Sequence, residues 1–189
     1  MTQHLFIVTG ASRGMGLAIA RQLLTPGNTV LCISRSTNDS LTLQANQHGV
    51  TLVQWPQDLA LSAAASARLE QWLRERAVAT FASATLINNA GVIARIGPLS
   101  DADADDLSRA LRVGLEAPMQ LTSAFLRATQ AWAGVRKVLN ISSGLGRRAM
   151  AAQAGYCAAK AGMDHFTRCV ALDEALKPNG AKVCSLALA

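Results

Sequence analysis

A tyrosine and a lysine stand four residues apart in Tyr156-Cys157-Ala158-Ala159-Lys160, at the start of a helical pattern that runs to Leu176. Residues at i and i+4 share one helix face, so a phenol and an ammonium placed this way can converge on one point. A tyrosine hydroxyl in water ionises at about pH 10, and a nearby cation favours the phenolate and eases proton exchange. Ser142-Ser143, ending the β-rich run that begins at Val138, adds a hydroxyl at Ser143 that can hold an oxygen on which negative charge develops. The three groups suit reduction of a carbonyl, with Tyr156 as proton donor, Ser143 on the oxygen and Lys160 supplying positive charge.

A second group of residues suits a phosphate. Thr9-Gly10-Ala11-Ser12-Arg13-Gly14-Met15-Gly16 follows the apolar run Leu5–Val8 directly and opens a helical pattern. Glycines there let the backbone turn sharply and approach a pyrophosphate, whose charge is met by helix N-terminal amides. A plain glycine-rich turn is the alternative. Where the second β-rich run ends, an acidic residue would bind the 2′-hydroxyl of NAD and repel a 2′-phosphate. The chain has Ser34-Arg35 instead, with a second guanidinium at Arg13. Charge-assisted bonds of this kind contribute about 1.5–3 kcal/mol each, which favours NADP (NADPH) unless the two arginines are merely surface residues. Elsewhere His4, His48 and His165 are isolated. No metal-ligand spacing, paired carboxylates or nucleophile elbow occurs, so no metal is expected.

The elements that must position these residues alternate along the whole chain. Strands are predicted at Leu5–Val8, Thr29–Ile33, Val50–Trp55, Leu86–Asn88, Val138–Ile141 and Val183–Leu186. Helices are predicted near Met15–Leu24, Leu41–Gln47, Leu61–Arg76, Asp101–Arg112, Ala117–Trp132 and Tyr156–Leu176. Ser100 or Asp101 is a candidate cap for the fourth helix, Pro118 suits a first helical turn, and Lys177-Pro178-Asn179-Gly180 stops the sixth. Strands separated by helices imply right-handed βαβ crossovers. The expected fold is therefore one α/β domain over residues 1–189, a doubly wound Rossmann-type parallel sheet of about six strands with helices on both faces.

The glycine spacing, TGxxxGxG, resembles the short-chain dehydrogenase/reductase family, and later motifs repeat the match over the whole chain. The resemblance implies that Gly10, Ser12, Arg13, Gly14, Met15 and Gly16 line the cofactor. It puts Asp58-Leu59 on the adenine side, although Asp58 also suits a helix N-cap. It reads Asn88-Asn89-Ala90-Gly91 as the segment that leaves room for the nicotinamide ribose. Thirteen positions separate Ser143 from Tyr156, the family's usual separation, and Lys160 would also bind the ribose hydroxyls, so Tyr156 and Lys160 count among cofactor residues. The segments Asn140-Ile141-Ser142-Ser143-Gly144, Tyr156-Cys157-Ala158 and Ala117-Pro118-Met119 look like the sepiapterin reductase and benzil reductase group. That group reduces vicinal dicarbonyls, implying a small-molecule carbonyl substrate. Leu145, Met150 and Ala151 could shape an apolar substrate pocket or simply pack their loop. Arg147-Arg148 are either solvated charges or an attraction for an acidic substrate.

Two departures from the family leave a second reading open, a catalytically weak dinucleotide-binding protein. Gly114 stands where the family has an asparagine whose side chain and carbonyl help a proton relay; glycine keeps only the carbonyl, unless it is merely a flexible helix junction. The family's Pro-Gly step after the sixth strand is replaced by Leu188-Ala189, so the chain looks C-terminally shortened and the sixth strand is expected at a sheet edge. The family also pairs its fifth and sixth helices across a homodimer.

Composition narrows the partners. Of 189 residues half are apolar and 16% charged, which suits a buried sheet and not disorder. The net charge of +6 comes from scattered residues with no basic stripe or interleaved aromatics, so nucleic acid is not expected. Apolar runs are too short for a membrane span, and with no signal peptide expected the location is read as cytoplasmic. Cys32, Cys157, Cys169 and Cys184 form no CxxC pair and read as buried free thiols.

Overall fold

Strands with apolar residues at successive positions, not alternate ones, must be covered on both faces. The computed structural model, which describes residues 3–76 and 81–188, meets that demand with helices on each side. The strands are β1 (His4–Thr9), β2 (Asn28–Ser34), β3 (Thr51–Pro56), β4 (Ser83–Asn88), β5 (Val135–Ser143) and β6 (Lys182–Leu188). They pair in the order β3-β2-β1-β4-β5-β6, each neighbouring pair parallel. Leu5, Ile7, Leu31 and Ile33 point to one core with Leu69, Leu121 and Phe125. Their strand neighbours Val8, Val30 and Cys32 point to the other, with Ala20, Leu24 and Leu41. This is the expected doubly wound fold.

The helices are α1 (Gly14–Leu23), α2 (Asp39–His48), α3 (Ser62–Arg74), α4 (Ala104–Leu111), α5 (Ala117–Ala128) and α6 (Ala154–Ala175). Most predicted spans hold to within a few residues. β4 and β5 begin earlier than expected because Ser83, Arg136 and Lys137, polar as they are, find ladder partners in β1, β4 and β6 respectively. The fourth helix starts later: Leu99–Asp101 is a 3₁₀ turn, Ala102 is extended, and Asp103 caps α4 by accepting the Asp106 amide at 2.8 Å. Neither Ser100 nor Asp101 is the cap.

Between α4 and α5 the chain does not break. A π turn over Arg112–Glu116 joins them, the Ala117 amide reaching back five residues to the Arg112 carbonyl. Pro118 supplies a reason, since it has no N–H to give the Gly114 carbonyl four residues earlier. Gly114 is buried there without a positive φ. A Cβ at Gly114 would meet that of Ala159 at 3.3 Å.

The turn from α6 to β6 is held by charge. The buried Glu174 carboxylate accepts the Ala181 amide at 2.8 Å and is flanked by Lys177 and Arg136. Burial pushes its pKa up, but the Ala181 amide, Lys177 and Arg136 more than offset it and hold the carboxyl below its ordinary range. β6 lies at the sheet edge with Leu186 and Leu188 partly exposed, as expected; Ala189 falls outside the described residues. The thiol expectation holds only in part: Cys32 is buried, Cys157 half-buried, and Cys169 and Cys184 are exposed on the outer faces of α6 and β6.

Candidate active site

Strand order reverses between β1 and β4, whose neighbours run outward in opposite directions. A parallel sheet opens a crevice at such a point, beyond the carboxyl ends of the strands. A cleft of about 260 Å³ lies there. The glycine-loop residues Gly10, Ser12, Arg13, Gly14, Met15 and Gly16 line one wall. Arg35, Asp58 and Leu59 come from the ends of β2 and β3, and Asn89, Ala90 and Gly91 from the end of β4. Residues far apart in sequence thus meet as expected.

The loop's shape depends on two of its glycines. Gly10 has φ +72°, and a Cβ there would press on Ala90 and Asn89 at 3.0 Å. At Gly16 a Cβ would overlap the Gly10 carbonyl and the Asn89 amide, so the first turn of α1 reaches the loop only without a side chain. Arg13 sits at the N-cap with no side-chain cap bond, which leaves the first amides of α1 free toward the cleft. Buried Thr9 ties the loop to β4: its Oγ1 accepts from the Asn89 and Ala90 amides, each at 3.0 Å, and the Asn89 side chain donates to the Thr9 carbonyl at 2.9 Å.

Arg109 was not foreseen. It reaches the cleft from α4 and donates to the Asp58 carboxylate at 2.9 Å. Asp58 also accepts the Ala60 amide at 2.9 Å. That amide first, then Arg109 and Arg35, hold its carboxyl below the usual range. Asp58 is not the N-cap of α3, a place taken by Leu61. The cleft therefore carries three guanidiniums, from Arg13, Arg35 and Arg109, against the one carboxylate of Asp58.

None of Ser143, Tyr156 and Lys160 is among the residues lining this cleft. Ser143 ends β5, half-buried, its Oγ accepting the Leu145 amide at 3.2 Å. Lys160 is buried and donates to the Ile141 carbonyl at 2.7 Å, which anchors α6 to the same strand. Its Nζ lies 5.6 Å from the centre of the Tyr156 ring. Burial lowers the Lys160 pKa and the Asp164 charge opposes that shift. A buried polar chain also crosses beneath the site: Asn88 donates to Asn140 and Asn140 to Thr167, both at 2.8 Å, linking β4, β5 and α6. Half-buried Tyr156 faces a small recess with Leu107, Ala152 and Gln153. Met150 and Ala151 are exposed, Leu145 is half-buried, and Arg147 approaches Asp164.

Comparison with known proteins decides the family. The family model described as short chain dehydrogenase matches residues 4–188. The chain belongs to the short-chain dehydrogenase family. It is an oxidoreductase of that family, whose members bind a nicotinamide dinucleotide. It is 36% identical over 181 residues to a benzil reductase ((S)-benzoin forming) of Bacillus cereus, an alignment covering 96% of this chain and 73% of that one. A benzil reductase of Bacillus subtilis is 34% identical over 165 residues, covering 87% of this chain and 65% of the relative. The structure superposes on a metagenomic short-chain oxidoreductase solved in complex with NADP with a TM-score of 0.86. Identity there is 29%, with 100% of this chain and 82% of the other covered. This short-chain dehydrogenase is thus similar to benzil reductases within its family, and no helix among its described residues is long and apolar enough to cross a membrane.

Proposed function

We propose that this short-chain dehydrogenase uses NADPH to reduce a small carbonyl compound, a vicinal diketone in the first instance, to the alcohol. The observation that supports the reading is the placement of Tyr156 and the buried Lys160 on one face of α6, with Lys160 bonded to the Ile141 carbonyl two residues before Ser143 in β5. The names of the two Bacillus relatives support the substrate class.

The cleft fits a dinucleotide. Gly10 and Gly16 form a cradle that a Cβ would fill, and the free amides of α1 point where a pyrophosphate would lie. Arg13 and Arg35 would hold the 2′-phosphate, and no acid at the end of β2 opposes it. Asp58 and Leu59 would bound the adenine, and Asn89, Ala90 and Gly91 the nicotinamide ribose, with Tyr156 and Lys160 completing the ribose contacts. When bound, the dinucleotide supplies the hydride. Ser143 Oγ then donates to the carbonyl oxygen as it gains negative charge, and the Tyr156 hydroxyl gives that oxygen its proton. Lys160 stabilises the phenolate left behind. The single domain over residues 1–189 belongs to this reading, as does a homodimer through α5 and α6. Met119, Leu126, Phe166 and Val170 line a groove between those helices, which supports it.

Gly114 keeps the alternative of dinucleotide binding with little turnover, because its position offers a backbone carbonyl and no side-chain amide. Kinetics of Tyr156→Phe separate the two. The variant keeps the ring and loses the hydroxyl, so diketone turnover should fall at least about a hundredfold while NADPH affinity stays constant. Near-normal turnover in the variant would remove Tyr156 from its role.

A further inference from the structure

We propose that Asp164 is a positioning residue for Lys160, its buried carboxylate keeping the lysine ammonium charged while Arg147 holds it from the turn that follows Ser143. The inference rests on the role given to Lys160 above. Asp164 is 6% exposed, and neither carboxylate oxygen has a hydrogen-bond partner among the described residues. A buried carboxylate left this way is costly unless an opposite charge offsets it. Lys160, four residues earlier and 4% exposed, is such a charge on the same helix face. Side chains on a helix lean toward its N-terminus, so Asp164 covers the turn that Lys160 begins.

The turn after β5 seals the arrangement. Gly146 packs against this stretch of α6 so tightly that a Cβ would stand 3.0 Å from both the Asp164 carboxylate and the Lys160 carbonyl. One residue on, the Arg147 guanidinium lies 3.8 Å from Asp164 Oδ2, an ion pair too long for a hydrogen bond. Among the described residues, Tyr156 and Asp164 act on Lys160 from α6, and Arg147 approaches Asp164 from the turn. From β5 the Ile141 carbonyl accepts from its Nζ, and the π turn presents Gly114 to the adjoining Ala159. Burial works against the Lys160 charge and Asp164 works for it, in agreement with this geometry. Arg147, exposed over much of its side chain, partly neutralises Asp164 and couples the Ser143 turn to the helix.

The opposed signs give the test. The chain has four lysines, Lys137, Lys160, Lys177 and Lys182, so the Lys160 resonance in protein labelled with lysine ¹³Cε can be assigned by comparison with Lys160→Arg and titrated directly. Asp164→Asn keeps the shape and removes the charge; the Lys160 midpoint should fall by roughly one pH unit. Arg147→Gln leaves Asp164 unopposed and should raise it. An unmoved midpoint in Asp164→Asn, or movement of both variants in one direction, overturns the proposal. Should Asp164→Asn fail to fold, Arg147→Gln decides: a rise supports the proposal, and no change or a fall overturns it. No substrate is present, so a missing diketone activity would count against the proposed function and leave this result standing.

Discussion

In Gly16→Ala the added methyl carbon stands 2.8 Å from the Gly10 carbonyl carbon, and closer still to its oxygen and to the Asn89 amide. Carbon atoms settle at about 3.5–4.0 Å, so the loop or the first turn of α1 must move by roughly 1 Å. Overpacking of this kind costs about 1–3 kcal/mol. Movement there displaces the free amides and Arg13 together, so the cost falls on dinucleotide binding. At about 1.4 kcal/mol per tenfold, the dissociation constant should rise about five- to 150-fold. Two other glycines serve as controls. Gly97 lies outside the cleft lining and a Cβ there meets nothing within 4 Å, so Gly97→Ala should bind as the wild type does. Gly14 has equal room but φ +56°, so Gly14→Ala should lose about 1 kcal/mol of stability through backbone strain. The assay is fluorescence titration of NADPH beside a thermal melt for each variant. Wild-type affinity in a folded Gly16→Ala, or an equal loss in Gly97→Ala, would refute the steric argument.

Three further expectations follow from the charges and thiols. Arg35→Ser should weaken NADPH about ten- to a hundredfold and leave NADH nearly unchanged in the same titration; equal losses would give Arg35 a structural role instead. Glu174 titrates below its ordinary range, so its stabilising contribution is present above about pH 4.3 and disappears as pH falls through the lower folded value. Urea unfolding should then show wild type and Glu174→Gln converging on acidification, and a constant gap would contradict it. Burial pushes the Cys32 thiol up to about 12, so at pH 8 about one molecule in ten thousand carries the thiolate. Alkylation followed by mass spectrometry should mark exposed Cys169 and Cys184 and spare Cys32 until the protein unfolds.

The sheet was legible in the sequence because apolar runs such as Leu5–Val8 and Thr29–Ile33 are too short for buried helices and are separated by helical patterns. The cleft was legible because strand ends in a parallel sheet fall on one edge, which brings Gly10, Arg35, Asp58 and Asn89 together without detailed packing. Arg109 was not, since an arginine on a helix pairs with Asp58, 51 positions away in the chain, only once the fold exists. Ser100 and Asp101 were the cap candidates, and the extended backbone at Ala102 moved the helix start to Asp103. The π turn had a signal in Pro118 four residues after Gly114, but reading it needs a continuous helix through both. The exposed thiols were misread because apolar neighbours along α6 and β6 do not tell which face is outward. Asp164 carried no signal either, as its isolation is created by Gly146 packing from another element.

The central claim is that Ser143, Tyr156 and Lys160 reduce a carbonyl with NADPH held in the neighbouring cleft. Loss of NADPH absorbance on mixing the protein with a vicinal diketone tests it most directly, with the product identified by chiral chromatography. The account predicts one hydroxyketone formed per NADPH consumed, with turnover lowered at least about a hundredfold by Tyr156→Phe. Saturable NADPH binding with no consumption against any of a panel of diketones would contradict it and leave a dinucleotide-binding protein.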